Sequence, residues 1–83
     1  MTTLEAISPA TLNGYPVKRA SRTPAANMTR AGWVVLVERD GDTPHPFVTA
    51  WTGDGDSGWC WGHYFADAGA AVADFHSRVS RGY

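Results

Sequence analysis

Only one cysteine, only one lysine and no long apolar run stand in this 83-residue chain. With Cys60 alone there is no intrachain disulfide and no zinc site built from several thiolates. A reducing compartment, the cytoplasm, is therefore expected. No stretch approaches the roughly 18 apolar residues of a membrane-spanning helix. The N-terminus also lacks the core of a signal peptide, so no membrane partner is expected. Charge is sparse too, at 18% of residues. It is also unevenly placed. Residues 1–30 carry Lys18, Arg19, Arg22 and Arg30 against Glu5, a net +3, whereas residues 31–83 carry a net −4. An acidic core argues against a large phosphate-binding surface there.

What the chain does hold is aromatic side chains: four Trp, three Tyr and three Phe. A chain this short makes one domain whose core is only just sufficient. The rings then serve either to complete the core or to build an interface, and size alone leaves self-association open.

Three segments read as strands: Trp33–Glu38, Phe47–Trp51 and Trp59–Phe65. The loops between them are rich in Gly, Asp, Pro and Thr. Alternation puts Trp33, Val35 and Val37 on one face of the first strand, with Val34 and Leu36 on the other. Both faces are apolar, so both must be covered. In the third strand, Trp59, Trp61, His63 and Phe65 share a face opposite Cys60, Gly62 and Tyr64. Asp67 then caps a helix over Ala68–Val79. Its expected buried stripe is Ala68, Ala71, Val72, Phe75, His76 and Val79. Arg78 and Arg81 lie mostly away from that stripe, with Asp74 and Arg78 spaced to pair. Gly82 ends the helix.

The expected fold is α+β: a three-stranded antiparallel meander followed by one C-terminal helix packed on the sheet. Residues 29–83 form this β-β-β-α core. Residues 1–28 form an irregular arm, either covering a sheet face or meeting a partner. Within the arm, Leu4, Ala6 and Ile7 allow one helical turn before Pro9. Asn13-Gly14 has the type I′ signature of a short hairpin.

Several constellations invite a chemical reading and fail it. Gly55-Asp56-Ser57-Gly58 matches the sequence around the nucleophile of trypsin-like serine proteases. Those enzymes need two barrels to assemble their triad and oxyanion donors, and this chain is too short. Asp54 and Asp56 resemble the start of a calcium loop, but Trp59 and Phe65 stand where that loop needs Gly and Glu. Cys60 and His63, three apart on a strand, point to opposite faces unless a bulge intervenes. Cys60 is expected as a small buried side chain, and His63 as a packed, hydrogen-bonded ring. No cofactor, metal or enzymatic activity is expected.

At the level of topology, Trp33 to Val79 resembles the β-β-β-α part of HicB-type antitoxins. A strand like Val34–Arg39 leads there through a polar loop to a second strand, and a short third strand feeds a helix like Ala68–Val79. The start of the helix, Asp67-Ala68-Gly69-Ala70, departs from the family's acidic pattern, and no DNA-binding segment follows Tyr83. The resemblance implies a non-enzymatic module that folds against a small protein partner. This yields the leading expectation: a protein-interaction module, an inhibitor or accessory factor of the phage or mobile-element type. Its interface would use Trp33, Trp51, Trp59, Trp61 and His63, gathered on one sheet face. The alternative is a nucleic-acid-associated module whose Lys18, Arg19, Arg22 and Arg30 contact phosphates, with bases stacked on the aromatic face. The acidic core disfavours it.

Overall fold

The computed structural model describes residues 8–25, 30–39, 41 and 43–83. The helical turn expected near residues 4–7 lies outside them. Five strands form one antiparallel meander in chain order: β1 (Thr11–Leu12), β2 (Tyr15–Thr23), β3 (Gly32–Glu38), β4 (Phe47–Gly53) and β5 (Cys60–Phe65). One helix follows, α1 (Ala68–Arg81). The α+β class and the helix agree with the sequence reading, but a three-stranded meander undercounts the sheet. Residues expected to be irregular supply β1 and β2. The tight turn between them is of the predicted kind, with φ of 50° at Asn13 and 83° at Gly14.

β2 pairs with β3 from Val17↔Val37 to Thr23↔Gly32, with one irregularity between Val17 and Arg19. Its sequence, YPVKRASRT, hides this because the strand lies partly exposed along most of its length. Backbone pairing with the apolar β3 holds it in the sheet, joined by Val17 and Ala20 on the inner face and by Thr23 at its end. β3 is the central strand, and both of its faces are indeed covered. Val34, Val35, Val37, Val48 and Ala50 are fully buried, a contribution on the order of 2 kcal/mol for each valine.

One face of the sheet carries Val35, Val37, Val48 and Ala50. The hairpin brings Leu12, Tyr15 and Val17 onto it, and Trp33 and Trp59 pack at its margin. The Asn13 N–H donates to the Ser57 carbonyl at 2.9 Å, tying the hairpin tip to the β4–β5 loop. The sheet therefore curls, and its inner face is closed by its own first strands. The opposite face presents Val34, Leu36 and Trp51 to Ala71 and Phe75 of α1, flanked by Phe47, Phe65 and Val72.

Asp67 caps α1 by accepting from the Ala70 N–H at 2.8 Å. Gly82, in the left-handed conformation, closes it by donating to the Arg78 carbonyl. The buried side of the helix is rotated from the expected one. Ala71, Phe75 and Arg78 are buried, whereas His76 and Val79 are exposed. The cause is polar. Thr49 Oγ1 on β4 donates to Asp74 Oδ2 at 2.5 Å, turning Asp74 toward the sheet and carrying Arg78 in one turn later.

Candidate functional site

The most unusual residue of the fold is Trp61. Thr49 pairs with His63 and Trp51 with Cys60, so β5 holds one more residue than β4 across this interval. The extra residue is accommodated by a bulge in which Trp61 adopts φ 57°. That is left-handed backbone, which a bulky side chain occupies at a cost of about 1–2 kcal/mol. The bulge also breaks the alternation expected for this strand. Trp61 lies on the helix side beside Trp51, whereas Trp59 packs on the inner face. Despite its contact with Trp51, Trp61 remains 53% exposed.

Trp61 forms one wall of a pocket of about 230 Å³ whose other walls are His63, Arg78, Arg81 and Tyr83. The Tyr83 ring meets the Trp61 indole edge-on at 6.0 Å, and the Arg81 guanidinium lies 5.4 Å from the Tyr83 ring centre. Arg78 is only 1% exposed. Its Nη1 makes a marginal 3.5 Å contact with the Thr49 carbonyl, and among the described residues its Nε has no acceptor. Among the described residues no carboxylate forms an ion pair with it. Burial pushes this guanidinium below its ordinary pKa, and the charge of Asp74 opposes that effect.

Asp74 itself is occupied. Besides the Thr49 hydroxyl it bonds His63 Nδ1 at 2.9 Å, so the expected Asp74–Arg78 pair does not form. Burial raises the Asp74 carboxyl, but hydrogen bonds from Thr49 and His63 and the charges of His63 and Arg78 outweigh it, leaving the pKa below the usual carboxylate value. Thr49 donates to the carboxylate and thus does not present its hydroxyl to the imidazole as a nucleophile would. Cys60 is exposed, contrary to the buried position expected for it, and its thiol contacts the Trp51 carbonyl at 3.6 Å. Among the described residues no group of three His, Cys, Asp or Glu side chains is placed to hold a metal ion.

The five residues expected to form one interface are thus divided between two faces. Trp51, Trp61 and His63 belong to the helix side; Trp33 and Trp59 belong to the inner face. Trp51 is 4% exposed and donates through Nε1 to Thr23 Oγ1 at 3.1 Å, so it supports the site from within the core. The Trp59 indole donates to the Tyr64 hydroxyl at 3.2 Å.

Two of the four expected phosphate contacts are engaged within the protein. Arg22 grips Asp54 through both terminal nitrogens, at 2.5 and 2.9 Å, and stands over Trp33. That hydrogen bonding holds Asp54 below the usual carboxylate range. Arg30 bonds Asp56 at 2.6 Å and lies over Trp51. Lys18 and Arg19 are exposed on β2. The basic segment and the acidic loop, read separately in the sequence, are partners for one another.

Sequence reasoning missed Arg78, Arg81 and Tyr83. The one trace was spacing, because Ala71, Phe75 and Arg78 recur at i, i+4 and i+7. An arginine in that pattern reads as a solvent-facing charge unless a buried acceptor is foreseen. Among the described residues, no helix is long and apolar enough to cross a membrane. Comparison with protein-family models, curated proteins and solved structures yields no match.

Proposed function

We propose that this chain is a small non-enzymatic protein-interaction module, an inhibitor or accessory factor of the kind mobile elements encode. Its contact surface is the ledge formed by Trp61 and Tyr83 at the C-terminal end of α1. The observation that carries this reading is the state of Trp61. A tryptophan held half-exposed on left-handed backbone is maintained against a local cost, and strain of that kind concentrates at functional positions. Exposed Trp and Tyr rings beside arginine are also the residue types that dominate binding energy at protein interfaces. The resemblance of residues 33–79 to HicB-type antitoxins points toward the same class of module.

The inner-face tryptophans have a simpler role in this reading. Leu12, Tyr15 and Val17 already cover that face, so Trp33 and Trp59 complete the core. The contact surface narrows to the helix side.

The test is capture from a lysate of the native host with the full chain as bait, run beside a Trp61→Gly variant. Glycine tolerates the left-handed backbone and removes only the ring. A protein recovered by the wild type and lost with folded Trp61→Gly supports the reading. Recovery that is unchanged overturns it. Sedimentation of both forms shows whether that partner is a second copy of the chain.

A further inference from the structure

Resting on that reading, we propose that the pocket among Trp61, His63, Arg78, Arg81 and Tyr83 receives a carboxylate: the side chain of a Glu or Asp presented by the protein partner. Arg78 is the buried cation of this wall. A guanidinium removed from water is ordinarily matched by an acceptor on each donor group. Among the described residues Nε has none, and the single carbonyl contact of Nη1 is at its distance limit. The side chain lines the pocket, where an incoming oxyanion supplies the countercharge that the guanidinium lacks among the described residues. Arg81 lies one turn further on the same wall and gives a second guanidinium, while the Trp61 and Tyr83 rings form the pocket's apolar walls.

Charge selects the kind of oxyanion. Arg78 faces the ionised Asp74, and both guanidiniums lie near the roughly half-unit negative end of the α1 dipole. With histidine counted as neutral, the balance is positive by only about half a charge. That suits a singly charged carboxylate and disfavours a doubly charged phosphate. A nucleic-acid strand would also meet the acidic remainder of the core. The occupant is therefore an acidic side chain flanked by residues able to cover the Trp61 indole.

The test is an NMR titration of the isotope-labelled full chain at low ionic strength, following the Arg78 Nε–H and Trp61 Nε1–H signals. The probes are N-acetyl-glutamate N-methylamide, its glutamine counterpart and inorganic phosphate. The glutamate probe shifts both signals saturably, at least tenfold more tightly than the glutamine probe or phosphate. Arg81→Gln, a change at an exposed position, weakens the glutamate probe at least threefold, and Arg78→Met abolishes the response. If Arg78→Met does not fold, Arg81→Gln decides alone. The absence of a saturable shift overturns the proposal, as does equal binding of glutamine or tighter binding of phosphate. Because the probes need no partner, a shift without Trp61-dependent capture removes the protein-interaction reading and leaves the pocket standing. The converse result removes the carboxylate assignment alone.

Discussion

The indoles of Trp51 and Trp61 meet at 5.3 Å between ring centres, tilted by 35°. One is buried in the helix-side core, and the other is largely exposed. The core ring serves as the platform on which the exposed ring rests. Left-handed backbone at Trp61 sets the angle of approach.

That geometry reverses an ordinary ranking. Glycine usually weakens a strand relative to alanine, but at φ 57° alanine retains the strain and glycine relieves it. Trp61→Gly is therefore expected to be more stable than Trp61→Ala by about 1 kcal/mol. Urea unfolding of the two variants checks this, and an alanine variant equal to or above glycine would contradict the bulge. Both fall below the wild type through loss of the contact with Trp51.

A second prediction concerns the start of β3. Gly32 pairs with Gly53 across the ladder. A Cβ on Gly32 would run into the Thr52 carbonyl oxygen and lie 2.7 Å from the Trp51 ring. Backbone and a buried indole cannot both give way. Gly32→Ala is expected to cost about 3 kcal/mol or more. At Gly53 the obstacle is the exposed, flexible Arg30 side chain, so Gly53→Ala should cost markedly less. Chemical denaturation of the pair measures the difference, and equal losses would refute the assignment of the close approach.

How much of this was legible depended on whether the local signal and the tertiary context agreed. They agreed at Asn13-Gly14, where only residues tolerant of positive φ fit the turn, and at Asp67 and Gly82, whose capping roles are short-range. They agreed along β3 and β4, whose alternating apolar residues face two covered sides. They disagreed at β2, where polar residues on a partly exposed strand carry no alternation strong enough to announce it. At Trp61 the left-handed residue is a tryptophan, although Gly62 stands beside it as the conventional marker. At Arg78 burial follows from the Thr49–Asp74 hydrogen bond, between residues 25 positions apart. The pocket depends on the last two, so the site was less readable than the fold.

The contact between Thr23 and Trp51 gives a third prediction, and it tests the placement of β2. Thr23 Oγ1 accepts from the buried Trp51 Nε1–H. Thr23→Val keeps the shape and strands the donor, at an expected cost of about 1–3 kcal/mol. Thr23→Ser restores the acceptor and should recover most of the loss. Thermal or urea unfolding of the three proteins checks the order, and a serine variant no better than valine would remove the hydrogen bond from the account.

The fourth prediction is a dependence on acid centred on Asp74. Its carboxylate faces Thr49 Oγ1, His63 and Arg78 and has a lowered pKa in the folded state. A depressed carboxylate contributes stability that is fully present above the unfolded value of about 4. That contribution is lost as pH falls through the lower folded value. Asp74→Asn should thus destabilise the protein by on the order of 1 kcal/mol at pH 7. The gap from the wild type should narrow steadily below about pH 5. Asp54, held down by Arg22, titrates in the same sense, so the variant keeps part of the acid sensitivity. Urea midpoints from pH 7 to pH 3 measure the gap. If it stays constant or widens between pH 5 and pH 3, the ionised Asp74 does not hold the helix to the sheet. The turn of α1 that buries Arg78 would then require another cause.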